Sequence, residues 1–272
     1  MLVAGTLLAP LGHVVVPTSP IWQDEFAGPA GAAPDRTRWV LETRNSPWGD
    51  GVEQRGWGND ELQYYTDSTR NAALNGTGQL VITARREQAA NSHCWYGKCQ
   101  YTSTRITTRG RFSQKYGRFE ARIKMPAGGG LLPAFWMLSD TDEWPDGGEI
   151  DVAEFVAQDS DTARGTVHGP GYAAGRKDLS FRYRLADGSS IPDAFHVYAI
   201  DWEPNRIGWS VDGVEYGFVT PESVAPGRWV FNASNFHLLL NLAVGGEWPG
   251  SPAASVPFPQ DMVIDYVRAY PE

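Results

Sequence analysis

RFEARIKM, residues 118–125, alternates polar and apolar side chains without a break. Phe119, Ala121, Ile123 and Met125 take one parity; Arg118, Glu120, Arg122 and Lys124 take the other. Successive side chains on a strand point to opposite faces, so the octet predicts a strand with one buried and one solvated face. The period returns in RIGWSV (206–211), followed by the hairpin pair Asp212-Gly213. FHVYAIDW (195–202) is closed by the turn pair Pro204-Asn205. PAFWML (133–138), QLVITARR (79–86), GTVHG (165–169), FHLLLNLAV (236–244) and MVIDYVRAY (262–270) read as further strands. HLLLNLAV is nearly all apolar, as befits a strand buried on both faces.

Outward from these strands, no amphipathic helix longer than two turns, no repeat and no low-complexity linker interrupts the pattern. GPAGAAPD (28–35) is a loop near the start, not a boundary. The fold class expected is all-β: one domain over residues 20–272, built as two stacked antiparallel sheets. The 30 Gly and 19 Pro supply turns, and 11 Trp with 11 Tyr exceed what one core needs, leaving rings for a surface groove. A net charge of −9 with no basic cluster argues against a nucleic-acid partner.

The segment 1–19 reads as an apolar tail whose first sixteen residues carry no Lys, Arg, Asp or Glu. It resembles the apolar part of a secretory signal without its positive region, which would place the true start upstream; a disordered or strand-like tail is the alternative. It is too short to span a membrane comfortably, so no membrane partner is expected. Cys94 and Cys99, in CWYGKC, suit a small loop disulfide in an exported protein; two reduced thiols are the alternative.

GGEIDVAEFV (147–156) carries the chemistry. Glu149 and Asp151 share a strand face, but Glu154 lies an odd number of residues from Glu149 and falls on the other. A β-bulge at Val152-Ala153 adds one residue and returns Glu154 to the side of the first two. Three like charges in a row destabilise a sheet unless protonation or function relieves them. The outer pair sit about 13 Å apart along the strand. Glu side chains leaning together reach about 5 Å, the separation of a retaining glycosidase. Asp151 between them would hold a proton or bond one neighbour and push the pKa values apart. A solvated acidic edge and a calcium cluster fit the same spacing. Trp136 and Trp144 fall near the acids, where aromatic faces hold sugar rings, although a Trp taken alone is more often core than platform.

WPDGGEIDVAE (144–154) resembles the signature of glycoside hydrolase family sixteen in its laminarinase, or endo-1,3-β-glucanase, form. QDEF (23–26), GNDELQYYT (58–66), LVITARRE (80–87), FWML (135–138), GTVHG, HVYAIDW (196–202) and NLAVGGEWPG (241–250) match in family order. The E-x-D-x-x-E spacing marks the bulged laminarinase branch, as opposed to the lichenase branch. Ala153 departs from the pattern, where Met is more usual. The resemblance implies a jelly-roll β-sandwich of two curved antiparallel sheets with a concave substrate cleft. It implies Glu149 as nucleophile, Glu154 as acid/base and Asp151 as their electrostatic partner. Trp136, Trp144 and His168 match positions near the scissile bond, Asn59 and Arg85 donors to sugar hydroxyls, and Trp248 a cleft wall. His168 is equally placed to be a core histidine. Asn241, polar in an apolar strand, stays outside this set.

By the same resemblance no cofactor is needed for catalysis, while a structural calcium is expected at Asp265 with backbone oxygens near Glu25 and Gly78. Asp265 as a simple surface residue is the alternative. The activity implied is a secreted, extracellular, monomeric endo-acting β-1,3-glucanase with β-glucan polysaccharide as its partner. A mixed-linkage β-1,3-1,4-glucanase and a non-catalytic β-glucan-binding protein are the alternatives. Galactan hydrolases share the scaffold, but GNDELQYYT and GGEWPG fit glucan enzymes better, and the intact acids speak against a mere binder.

Overall fold

The structure is a computed structural model, and it describes residues 19–46, 55–89, 92–141, 143–172 and 179–272. The expected apolar tail, up to residue 18, lies outside the described residues. Two large antiparallel sheets dominate. In the eight-stranded sheet the neighbours run Val214–Val219, Arg206–Val211, His196–Glu203, Gly117–Lys124, Gln260–Tyr270, Leu80–Ala84 and Ala72–Leu74. Trp22–Asp24 adds a further pairing along Gln260–Tyr270. The seven-stranded sheet runs Ser180–Arg184, Thr162–His168, Glu149–Phe155, Leu131–Ser139, Phe236–Val244, Arg105–Thr107 and Val40–Glu42. Among the described residues the α-helical element is the single turn Pro221–Val224. The all-β sandwich read from the alternating strands is the observed architecture.

Between the sheets the inward parities meet in one apolar cluster. Phe119, Ile123, Ile200, Trp202 and Trp209 come from one sheet, and Phe135, Ile150, Val152, Phe155 and Leu240 from the other. Each such side chain contributes about 1.5–3 kcal/mol relative to exposure, which makes this layer the main source of stability. Phe236–Val244 is buried along its whole length, as its composition requires.

The octet 118–125 departs from expectation in one respect. Its polar parity is solvated only toward the far end: Arg118 and Glu120 are each 6 % exposed, while Arg122 and Lys124 are partly open. The strand is central, flanked by His196–Glu203 and Gln260–Tyr270, and these neighbours bring partners. Arg118 Nε donates to Glu120 Oε2 at 2.9 Å, Arg118 Nη1 to Asp201 Oδ2 at 2.9 Å, and the Tyr270 hydroxyl to Glu120 Oε1 at 3.2 Å. Buried charges persist where they are paired and hydrogen-bonded, and here all three are.

Cys94 and Cys99 form a disulfide that closes the small hairpin of His93–Cys94 and Gly97–Lys98. The hairpin grips the 61–62 segment beneath it. Trp95 Nε1 donates to the Glu61 carbonyl at 2.9 Å and the Tyr96 hydroxyl to the Leu62 carbonyl at 2.6 Å.

Candidate active site

The register of Glu149–Phe155 decides which way its acids point. On one flank Glu149 faces Leu138, Asp151 faces Trp136 and Glu154 faces Ala134. Positions 134, 136 and 138 share a strand face, so the three carboxylates do too. On the other flank the partners of Glu149, Asp151 and Glu154 are His168, Thr166 and Arg164. Val152 and Ala153 together oppose Gly165, which is the bulge the odd spacing demands.

Two residues outside this strand make the bulge possible. Gly165 has no side chain, and a Cβ there would lie 2.2 Å from the Trp209 ring. The indole of Trp209, rising from the opposite sheet, fills that space and donates from Nε1 to the Asp151 carbonyl at 2.8 Å. A ladder disrupted by a bulge leaves backbone groups without partners, and this one is satisfied from across the core.

Each acid has its own environment. Trp144 Nε1 donates to Glu149 Oε2 at 2.6 Å, and Thr166 Oγ1 donates to Glu154 Oε2 at 3.0 Å. Asp151 is 3 % exposed, and its Oδ2 lies 3.1 Å from His168 Nε2. That approach couples the two groups. Burial, then the charges of Glu149 and Glu154, push the Asp151 carboxyl well above the usual carboxylate range. Burial likewise raises Glu154, while His168 and Thr166 oppose the shift. Burial works against a charged His168, but Asp151 in contact with it and the fields of all three carboxylates push it up to about 10. The arrangement is one histidine among three acids, with burial and the two outer charges acting together to raise the middle one.

Aromatic side chains frame the acids. The Trp144 and His168 rings stand 6.3 Å apart, and Trp144 is 62 % exposed. Trp136 lies beside Asp151 in register and donates from Nε1 to Asn241 Oδ1 at 2.7 Å. Trp248, 45 % exposed, packs under the Arg164 guanidinium at 5.0 Å, and Arg164 is the partner of Glu154. Indoles beside paired carboxylates on an open sheet face can bind a sugar chain and protonate its linkages.

Residues 57–268 match Glycosyl hydrolases family 16. The chain belongs to this family. It is 39 % identical over 264 residues to the beta-glucanase of Rhodothermus marinus, covering 92 % of this chain and 84 % of that protein. Among solved structures it superposes on the endo-beta-1,3-glucanase from Pyrococcus furiosus with a TM-score of 0.84 and 42 % identity, covering 96 % of this chain and 98 % of the other. The laminarinase catalytic domain from Thermotoga maritima gives a TM-score of 0.83 at 41 % identity, covering 93 % and 98 %.

Within this family 16 chain the remaining expected residues fall into different places. Asn59 sits where two loops meet: the Glu247 backbone N–H donates to its carbonyl at 2.9 Å and to its Oδ1 at 3.2 Å. Arg85 is engaged by backbone and borders a pocket. Its Nε donates to the Arg70 carbonyl at 2.8 Å, and it lines an open pocket with Arg86, Glu87 and the 254–259 loop.

The donor set expected for calcium does not fit a cation. Asp265 Oδ2 is paired with Arg122 Nη1 at 2.7 Å and Oδ1 accepts from Gln79 Nε2 at 3.3 Å, so both oxygens already face donors. The Glu25 side chain is paired with Arg268. The oxygen expected near Glu25 is its backbone carbonyl, and Gly78 does approach that carbonyl closely. Described residues whose ligand-type atoms cluster are Glu149, Asp151 and His168, within 4.8 Å of one another, two of the three acids of the cleft and its histidine.

Several site neighbours escaped the sequence reading. Thr166, Arg164 and Gly165 are set by register with the bulge, Arg105 and Tyr65 by their own short strands, and Glu61 by its bridge to Gly245. Asn241 did carry a signal, being polar in an apolar strand, and its partners prove to be Trp136 and Tyr65.

Proposed function

We propose that the chain is an endo-acting, retaining β-1,3-glucanase of the laminarinase type, with Glu149 as nucleophile and Glu154 as acid/base. The observation that carries this is the bulge, which sets both Glu residues on one face of one strand with Asp151 between them. Glu149 attacks the anomeric carbon while the glycosidic C–O bond breaks and the Glu154 proton passes to the leaving oxygen. Glu154, now ionised, takes a proton from water, whose oxygen displaces Glu149 and restores the β configuration. The raised Glu154 carboxyl suits the first step, because the acid must still hold its proton near neutral pH. Asp151 and the His168 cation balance the charge that moves between the two steps. No metal is needed for any of them.

The β-1,3-glucan substrate is supported by the relatives named above, and internal cleavage by indoles ranged on both sides of the acids. The Cys94–Cys99 bond supports an extracellular site of action, since such bonds persist in oxidising compartments. We take the working unit to be the monomer.

The test is digestion of laminarin, lichenan, agarose and cellulose, with product linkage analysis and proton NMR of the nascent products. Laminarin should give an early ladder of oligosaccharides whose first anomer is β, with cellulose untouched. An initial α signal rules out the double displacement, and glucose alone from the outset rules out internal cleavage. Lichenan cut faster than laminarin would favour the mixed-linkage reading. Binding of laminarin with no cleavage would favour a glucan-binding protein.

A further inference from the structure

A second polar assembly lies beside the acids, and its end point is a buried carboxylate that no step of the reaction uses. From Trp136 the bonds run in one direction. Trp136 Nε1 donates to Asn241 Oδ1 at 2.7 Å, Asn241 Nδ2 to the Tyr65 hydroxyl at 3.1 Å, and that hydroxyl to Glu61 Oε2 at 3.4 Å. Two more donors converge there: Gln63 Nε2 on Oε2 at 2.6 Å and Asn59 Nδ2 on Oε1 at 3.3 Å. Glu61 is 8 % exposed, and Tyr65 and Gln63 are fully buried.

Burying a carboxylate is costly unless it is paired and hydrogen-bonded, so its presence asks for a reason. Only an ionised carboxylate presents acceptors to all three donors at once, whereas a Gln would turn an NH2 group toward at least one of them. Burial raises the Glu61 carboxyl above its usual range, and the hydrogen bonds of Gln63 and Asn59 and the charge of Arg105 oppose that shift. Arg105 is itself paired with Glu42 and sandwiched between the indoles of Trp57 at 4.5 Å and Trp136 at 4.6 Å. The Trp57 ring in turn lies 5.5 Å from that of Tyr65.

What converges on Glu61 is the wall of the cleft. Through Tyr65 and Asn241 it reaches the ring plane of Trp136, which stands beside Asp151. Through Asn59 it reaches the loop of Trp248, because the Glu247 N–H binds Asn59 and Glu61 itself bridges to Gly245. We propose that Glu61 is a positioning residue for sugar binding: it touches no substrate, but fixes Asn59, Trp136 and the Trp248 loop in the orientation that grips the glucan chain. This rests on the glucanase reading above. The consequence is a division of labour, with Glu61 governing affinity for the chain and the three acids governing bond cleavage.

Glu61→Gln and Tyr65→Phe in the full chain test it, with circular dichroism and thermal melting to establish the fold. For Glu61→Gln, KM on laminarihexaose should rise about tenfold with kcat within about twofold, since uniform binding and not transition-state binding is lost. In a Glu149→Gln background the Kd for the same hexasaccharide should weaken by a like factor. Tyr65→Phe cuts one link and should raise KM about threefold. Unchanged KM in a folded Glu61→Gln overturns the proposal, as does a fall in kcat alone. Should Glu61→Gln not fold, Tyr65→Phe decides, and an unchanged KM there overturns it. A wild type inactive on every β-glucan would instead bring down the glucanase reading and this proposal with it.

Discussion

Trp209 and Asp151 sit on opposite sheets, yet the indole N–H of one donates to the backbone carbonyl of the other at 2.8 Å. The acid strand is thus braced from behind at the residue next to its bulge. Trp209→Phe keeps the ring but leaves that buried carbonyl without a partner, which should cost about 1–3 kcal/mol. Gly165→Ala drives a Cβ into the same ring and should destabilise by about 1–3 kcal/mol through overpacking. Both should lower kcat on laminarin while the protein remains folded. Normal kcat with normal melting in both variants would show that the brace is idle.

Deleting Ala153 removes the extra residue and gives a spacing whose parity needs no bulge. The expected product is a folded protein with impaired catalysis, because Gly165 and Trp209 are shaped for the longer strand. Unchanged turnover on laminarin would show that the bulge does not position Glu154.

Glu149 and Glu154 should fail in different ways. Glu149→Ala removes the nucleophile, so no glycosyl-enzyme forms and turnover should drop by at least about a thousandfold. Glu154→Ala removes the proton donor, so a substrate with an activated leaving group should still load the enzyme and accumulate the covalent intermediate. Mass spectrometry of the quenched protein distinguishes the two. Near-normal laminarin hydrolysis by both variants would refute the assignment.

The His168 cation sets the pH profile. It holds Glu154 below where burial alone would place it, so His168→Gln should raise the Glu154 pKa. The acid must be protonated to work, and activity is lost as pH rises through its pKa. The basic limb of kcat/KM should therefore move to higher pH in the variant, whatever happens to its height. A limb that stays in place, or moves down, contradicts the charge arrangement. Asp151 in contact with it and the nearby carboxylates push His168 up to about 10, so its own deprotonation is expected above the Glu154 limb.

Metal dependence should be slight. Asp265 is neutralised by Arg122, with both side chains about a third exposed, and such a pair contributes about 0–1 kcal/mol. Melting with chelator and with calcium should give the same midpoint for the wild type and for Asp265→Ala. A calcium-dependent rise confined to the wild type would mean that the ion displaces Arg122.

The sequence made the strands and the bulge legible for a common reason: both follow from side-chain parity, which is local. The alternation at 118–125 and the odd offset between Glu149 and Glu154 need no knowledge of distant neighbours. What parity cannot give is which strands lie side by side. Arg118 and Glu120 read as solvated because their partners, Asp201 and Tyr270, come from strands far away in the chain. Glu61 had no distinguishing pattern at all, since its burial comes from a loop folded under the Cys94–Cys99 hairpin. Asp265 and Arg85 carried expectations from resemblance, and their partners Arg122 and Arg70, which come from other strands and turns, were beyond what parity can read.

That hairpin lies outside both sheets, and it grips the carbonyls of Glu61 and Leu62 through Trp95 and Tyr96. The host in which the gene is expressed thereby becomes a variable of the binding groove more than of the fold. Polypeptide made where thiols stay reduced is expected to keep its sandwich and its three acids, and to lose order at the rim. A preparation assessed only by yield and melting would pass as sound, while its hold on long polymers had already slackened.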